Sequence, residues 1–249
     1  MAKFDSNWVP KTAMTIFAHP DDMEFSCGAT LAKWAKAGCE ITVVLCTSGN
    51  VGTHDDVKYT KLSLTETRER EQRNAITHLG VQHIEFLQHN DCQLVADLKL
   101  RKELTGLIRT HKPEVVICGD PNMVFWGDNR INHPDHRAAA TAAIDAVFPC
   151  CEMELLWPKL GKAHKVHAVY VRAFEDLNTW IDVSDTVELK IKALREHHSQ
   201  LDEMTELEKM IHDRLADAGK EKDMAFAEAF RVIRLIEDQE ASQVAQDKK

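Results

Sequence analysis

An α/β fold with a mainly parallel sheet is predicted by three observations. Strand-like apolar runs alternate with helix-length amphipathic segments along most of the chain. The run Met14–Ala18 leads straight into His19-Pro20-Asp21-Asp22 and then into the amphipathic stretch Phe25 to Ala37, a strand-to-helix junction. Beyond Asp185 the chain becomes charged and helical in pattern. Together they describe a Rossmann-like sheet with helices on both faces and a helical C-terminal extension.

In order, the strands are expected at Met14 to Ala18, Glu40 to Cys46, His83 to Leu87, Glu114 to Cys118, Val166 to Arg172 and Thr179 to Val183. The first helix, Glu24 to Ala37, places Phe25, Leu31, Trp34 and Ala35 on its apolar side and stops at Gly38, which suits a left-handed terminator. Thr65 to Leu79 takes Thr65 as its cap and ends at Gly80. Helices follow at Asp97 to His111, before Pro113, and at Pro134 to Val147. The extension is expected as three helices, Glu188 to Glu203, Met204 to Ala218 and Met224 to Ile236, the last with Phe226, Phe230, Ile233 and Leu235 as its stripe. Residues 1–240 read as one domain, with a core of about 12–200 and C-terminal helices of about 185–237, and 241–249 as a disordered tail.

Composition narrows the function classes. A chain of 249 residues that is 44% hydrophobic can bury one good core. Its net charge of -9 and pI near 5.8 exclude nucleic acid as the main partner, which needs a basic face. No apolar run reaches membrane-span length and the first residues lack a signal-peptide core, so the expected location is cytoplasmic and the partner a small molecule. Seven cysteines without a C-x-x-C pair, mostly in apolar surroundings, read as reduced core residues, the adjacent Cys150 and Cys151 included.

In open α/β sheets ligands bind at the carboxyl ends of the strands, and here that position holds imidazole and carboxylates in place of glycines. Taken alone, Asp21 and Asp22 could serve only to cap a helix. A second strand-to-helix junction, Asn132-His133-Pro134-Asp135-His136-Arg137, repeats the chemistry. A catalytic zinc, or another divalent ion, uses three protein ligands and leaves a place for water; His19, Asp22 and His136 can supply the three. Asp21 projects differently from Asp22 and is then free to act as a base, His133 is the natural acid, and Asp135 orients an imidazole. The long segments Ser48 to Ser63 and Gly119 to Asn132 follow strands and are the expected pocket walls.

The chain resembles the LmbE/PIG-L family of zinc-dependent N-deacetylases. The resemblance rests on His19-Pro20-Asp21-Asp22 with Glu24 and Gly28-Ala29-Thr30, on Arg68-x-x-Glu71, Phe86-Leu87 with Asp91, and His133-Pro134-Asp135-His136-Arg137, with a later match at 178–182 and 190–200 that includes His197. It implies His19, Asp22 and His136 as zinc ligands, Asp21 as general base, His133 as acid and oxyanion partner, and Asp135 as its orienting carboxylate. The implied reaction removes the acetyl group from an N-acetylglucosamine-type conjugate. Arg68 and Asp91 match substrate-binding positions. The chain departs from the pattern at Ala29, at Cys92 after Asp91, where relatives carry Asp-Gly, and at Asn50, where an acid at the pocket rim is common. The resemblance also implies a homo-oligomer, a trimer or hexamer. His197, on a packed helix, reads as structural. Two other enzyme readings are a broader amidase acting on sugar-linked thiol conjugates and a metal-dependent phosphohydrolase; a non-catalytic sugar- or nucleotide-binding module is disfavoured by the absence of G-x-G-x-x-G after the first strand.

Overall fold

The computed structural model describes residues 8–236; the tail expected at 241–249 lies outside them. The first four strands of the main sheet, all parallel, are β1 (Thr12–Phe17), β2 (Glu40–Thr47), β3 (His83–His89) and β4 (Val115–Gly119). After β4 come a two-stranded hairpin, β5 (Phe125–Trp126) with β6 (Arg130–Ile131), and then β7 (Ala168–Arg172), β8 (Thr179–Asp182) and β9 (Ala227–Arg234). The main sheet runs β3-β2-β1-β4-β7-β9-β8, parallel as far as β7 and antiparallel beyond it. Chain order steps outward from β1 to β3 and then returns to lay β4 on the other side of β1, so the topological switch lies between β1 and β4. That crevice receives both His/Asp junctions.

Helices α1 (Asp22–Lys36), α2 (Lys61–His78), α5 (Val187–Arg195), α6 (His198–Leu201) and α7 (Leu207–Lys220) come from both ends of the chain; α3 (Leu98–His111) and α4 (Pro134–Val147) lie between. Alternate residues of the central strands feed two cores. Ala13, Phe17, Val115 and Ile117 join the core of α1, α2, α5 and α7, while Met14, Ile16, Val116 and Cys118 join that of α3 and α4. Met23, Cys27, Leu31 and Trp34 recur along one side of α1 and are shut off from solvent; a fully buried side chain of Met or Leu size contributes about 1.5–3 kcal/mol. Trp34 meets Tyr170 edge-on at 5.5 Å, and Tyr170 meets Phe230 at 5.6 Å, which fastens the antiparallel end of the sheet to this core.

The expected helix at Met224 to Ile236 is instead strand β9, so the C-terminal extension is not wholly helical. Phe230 and Val232 are buried on either side of exposed Arg231, a period of two, and the β-branched pair Val232-Ile233 suits a pleated surface. β7 and β8 would each leave an open edge without it: β9 pairs Tyr170 with Val232 and Trp180 with Ala229. The helix expected at 188–203 divides at His197 into α5 and α6. α2 begins earlier than Thr65, because Thr60 accepts from the Ser63 N–H and the Ser63 hydroxyl accepts from the Thr60 N–H, while the Thr65 hydroxyl donates to the Lys61 carbonyl. All seven cysteines are free thiols; six are buried, but Cys92 is exposed and is not a core residue. No helix among the described residues is long and apolar enough to cross a membrane.

Candidate metal centre

The turn between β1 and α1 is not a helix cap of the ordinary kind. Asp21 sits at the N-cap position with φ of 87°, in the left-handed region, and its side chain caps nothing. Such a conformation is costly for a non-glycine residue. Asp22 Oδ2 accepts the backbone N–H of His19 at 2.9 Å, and Gln72 Oε1 accepts that of Asp21 at 3.2 Å. Gln72 in turn donates to Glu24, deep under α1.

At the second junction His133 is the N-cap of α4 and Pro134 opens its first turn, where proline needs no donor. One turn on, His136 faces back to β1. Its Nε2 lies 3.0 Å from Asp22 Oδ1 and 3.2 Å from His19 Nδ1, and His19 Nδ1 lies 3.4 Å from Asp22 Oδ2. Ligand atoms set tetrahedrally about a zinc ion at its usual bond lengths are about 3.3 Å apart. The three side chains therefore fit one small divalent ion.

The far nitrogens of both rings are also held. His19 Nε2 is 3.1 Å from Asp91 Oδ1 and 3.5 Å from Asp135 Oδ2; His136 Nδ1 is 2.9 Å from Asn132 Oδ1. This is the support that metal-binding imidazoles usually receive, and it aims His19 Nδ1 and His136 Nε2 at the same point. Burial alone would lower both imidazoles, but Asp135, Asp22 and Asp91 carry His19 up to about 12, and Asp22 raises His136. Burial works against the Asp22 and Asp91 carboxylates, yet the facing imidazoles hold both below the usual carboxylate range. A site that draws protons onto its histidines so strongly has the field to hold a cation. Desolvation and then the Asp22 charge push Asp21 up to about 7.

The remaining site residues expected from sequence fall into two groups. His133 Nδ1 accepts the Asp135 N–H at 3.2 Å, so in the neutral ring Nε2 carries the proton; burial and the His19 charge hold this imidazole below its ordinary value. Asp135 thus orients His133 through its backbone, while its carboxylate accepts from the Cys92 N–H at 2.8 Å and the Leu94 N–H at 3.3 Å and faces His19. Behind His19, Arg68 donates to the carbonyls of Gly49 and Gly52, both at 2.6 Å, and Asn50 Oδ1 accepts the Asp91 N–H at 3.2 Å. Gly49 has φ of 65°, and a Cβ there would lie 2.1 Å from the Arg68 guanidinium, so only glycine fits. Arg68 thus holds the loop that carries Asn50, Asn50 holds Asp91, and Asp91 holds His19. His197 is fully buried, 3.6 Å from Glu24 Oε1.

A cavity of about 290 Å³ opens from Asp22 and His136. Of the two expected walls, the 119–132 segment lines it through Met123, Trp126 and Arg130, but nothing from 48–63 does. The opposite wall, with Phe174, Arg172, Met204 and Arg214, comes from the C-terminal part of the chain and was not expected. Asn132 was missed as well; its only sequence signal is that it immediately precedes the second motif.

The family model described as "PIG-L: GlcNAc-PI de-N-acetylase" matches residues 14–147, the segment that carries both junctions. The diacetylchitobiose deacetylase of Thermococcus kodakarensis is 33% identical over 198 residues, 78% of this chain and 71% of that protein. A 1D-myo-inositol 2-acetamido-2-deoxy-alpha-D-glucopyranoside deacetylase of Mycobacteroides abscessus is 29% identical over 76% of this chain and 81% of its own. The solved N,N'-diacetylchitobiose deacetylase of Pyrococcus horikoshii, in complex with its inhibitor MPG, superposes with a TM-score of 0.81 at 26% identity, over 90% of this chain and 84% of that one. The chain belongs to the PIG-L (LmbE) family.

Proposed function

We propose that this protein hydrolyses the N-acetyl group of an N-acetylglucosamine-type conjugate, giving acetate and a free amino sugar, with zinc held by His19, Asp22 and His136. The observation that carries the reading is the convergence of three side chains, with His136 Nε2 3.2 Å from His19 Nδ1 and the two oxygens of Asp22 at 3.0 Å from His136 and 3.4 Å from His19. The names of the relatives point to the same amide of the same sugar. A bound zinc supplies Lewis acidity toward the acetyl carbonyl and makes water a nucleophile at neutral pH.

The chain's own residues do the rest. Asp21, whose side chain makes no cap bond to α1, accepts the proton that water loses as its oxygen bonds to the acetyl carbon. His133, with its proton on Nε2, donates to the carbonyl oxygen as charge gathers there; one such donor is worth about 10²- to 10³-fold in rate. When the carbon–nitrogen bond breaks, the departing nitrogen takes up the proton that Asp21 accepted from water, so Asp21 ends as the carboxylate it began as, while His133 keeps its Nε2 proton on the carbonyl oxygen. Asp91, Asp135 and Asn132 hold the two ligand imidazoles in register throughout.

The test is a panel of N-acetylglucosamine conjugates incubated with zinc-loaded protein and read by mass. Loss of one acetyl group with stoichiometric acetate is expected, and larger acyl amides should be cut more slowly. Two tightly bound ions per chain, with phosphate released from phosphate esters and no acetate from any conjugate, would overturn the proposal.

A further inference from the structure

The cavity wall opposite the metal centre carries two cations with no anion to meet them. Arg172 ends β7 and Arg214 lies on α7, and their guanidinium carbons stand 4.8 and 5.6 Å from the centroid of the same ring, Phe174. Both line the cavity that Asp22 and His136 open into. Among the described residues neither forms an ion pair with a carboxylate; Arg172 donates to the Ala173 carbonyl at 2.9 Å. The acid whose charge reaches both, Glu228, is already committed. Lys190 Nζ takes its Oε1 at 2.6 Å, and the amides of Ala29 and Thr30 bind its two oxygens at 3.3 and 2.8 Å.

Two half-buried guanidiniums over one ring, short of counter-charge, are an expensive arrangement. Burial, with the neighbouring Arg214 charge, pushes Arg172 down to about 10, the direction expected of a cation lacking a partner. Guanidinium forks match the oxygens of a carboxylate or phosphate, and stacking on an aromatic face fixes their planes for that purpose. The same cavity is lined by the apolar side chains of Phe25, Trp126 and Met204, as well as by Asp120 and Arg130.

We propose that Arg172 and Arg214 form a subsite for an anionic group, carboxylate or phosphate, borne by the aglycone of the conjugate. The inference rests on the deacetylase reading: the sugar amide lies at the His/Asp centre, an apolar spacer crosses the cavity, and the anion ends between the two arginines. It names a class of substrate, an N-acetylglucosamine conjugate with a charged aglycone.

Three N-acetylglucosamine glycosides with aglycones of one size, ending in a carboxylate, a phosphate or a hydroxyl, test this with the zinc-loaded full chain. The preferred anionic conjugate should show a KM about 10- to 100-fold below that of the hydroxyl conjugate, the size expected of a charge-assisted contact. Which anion wins separates the two sources. Arg214→Gln should collapse that ratio toward one, and Arg214→Lys should keep part of it. Equal KM values for charged and neutral conjugates in the unaltered protein, or a ratio untouched by Arg214→Gln, would overturn the subsite. If no glycoside is cleaved, the deacetylase reading fails and calorimetry decides the subsite separately, with an arylphosphonate and an arylacetate against an aryl alcohol. Anion binding lost in Arg214→Gln upholds it; binding undiminished in that variant, or no preference for the anions, refutes it.

Discussion

The cavity has two walls from different parts of the chain, built in different ways. The wall before residue 140 holds Asp22 and His136, with His19 and His133 beside them at strand ends and helix starts, where each side chain is fixed by short-range contacts: a backbone N–H on Asp22, a proline at the first turn of α4, an N-cap at His133. The wall beyond residue 170 places Phe174, Arg172, Met204 and Arg214 by tertiary packing of α7 and of an antiparallel β7-β9-β8 ribbon. On the proposed reading the first wall reacts and the second selects. Chemistry tolerates little variation in geometry, so local structure specifies it; a substrate's far end can be accommodated by elements that only the whole fold brings near.

If that division is right, damage to the first wall should abolish turnover without unfolding the protein. Asp21→Ala is expected to cut kcat by about 10²- to 10⁴-fold, the range for loss of a general base, with metal content unchanged. His136→Ala should lose the metal itself. Metal analysis of the two purified variants checks this, and equal metal loss in both would erase the distinction between a base and a ligand.

The converse holds for the second region, where damage should cost stability before chemistry. Lys190 of α5 and Glu228 of β9 are each 2% exposed and pair at 2.6 Å, and Glu228 also binds two amides of α1. Glu228→Gln leaves a buried ammonium without its counter-charge and should cost about 3–5 kcal/mol, read from the urea midpoint. Zinc stoichiometry should stay at one. A fall in metal content parallel to the loss of stability would show that the two regions are a single cooperative site.

The same contrast explains what the sequence made legible. α4 spans Pro134–Val147 as expected, and the strand ends fall within a few residues of expectation, because proline, capping groups and apolar runs act locally. β9 did not show itself, since Phe226, Phe230 and Ile233 satisfy a helical spacing, and only the open edges of β7 and β8 decide for the strand, which buries Phe230 and Val232 instead. Arg214 lies on a charged helix and looks like any solvated residue until Phe174 and Arg172 are set beside it. Arg68, Asn50 and Asp91 stand out in the sequence pattern, but their contacts do not, because α2 must bring Arg68 to the carbonyls of Gly49 and Gly52 and a second loop must bring Asp91 to Asn50 and His19.

The smallest effect is expected where the chain departs from the family pattern in the first wall. Cys92 has φ of 65°, its N–H is held by Asp135 Oδ2 at 2.8 Å, and its exposed thiol lies 3.5 Å from His133 Nε2. The backbone does the structural work in that turn, and the side chain is a burden on it. Cys92→Gly removes a left-handed penalty of about 1–2 kcal/mol and returns about 0.4–1 kcal/mol through the greater freedom of the unfolded chain. The net expectation is a gain of about 0–1.5 kcal/mol, measured as a small rise in the urea midpoint. The variant should also resist thiol alkylation, which in the unaltered protein attaches a bulky group beside His133 while the six buried cysteines are spared. A clear loss of stability in Cys92→Gly would mean that the thiol's contact with His133 holds the turn, and that in this wall side chains, as well as the backbone, set the geometry.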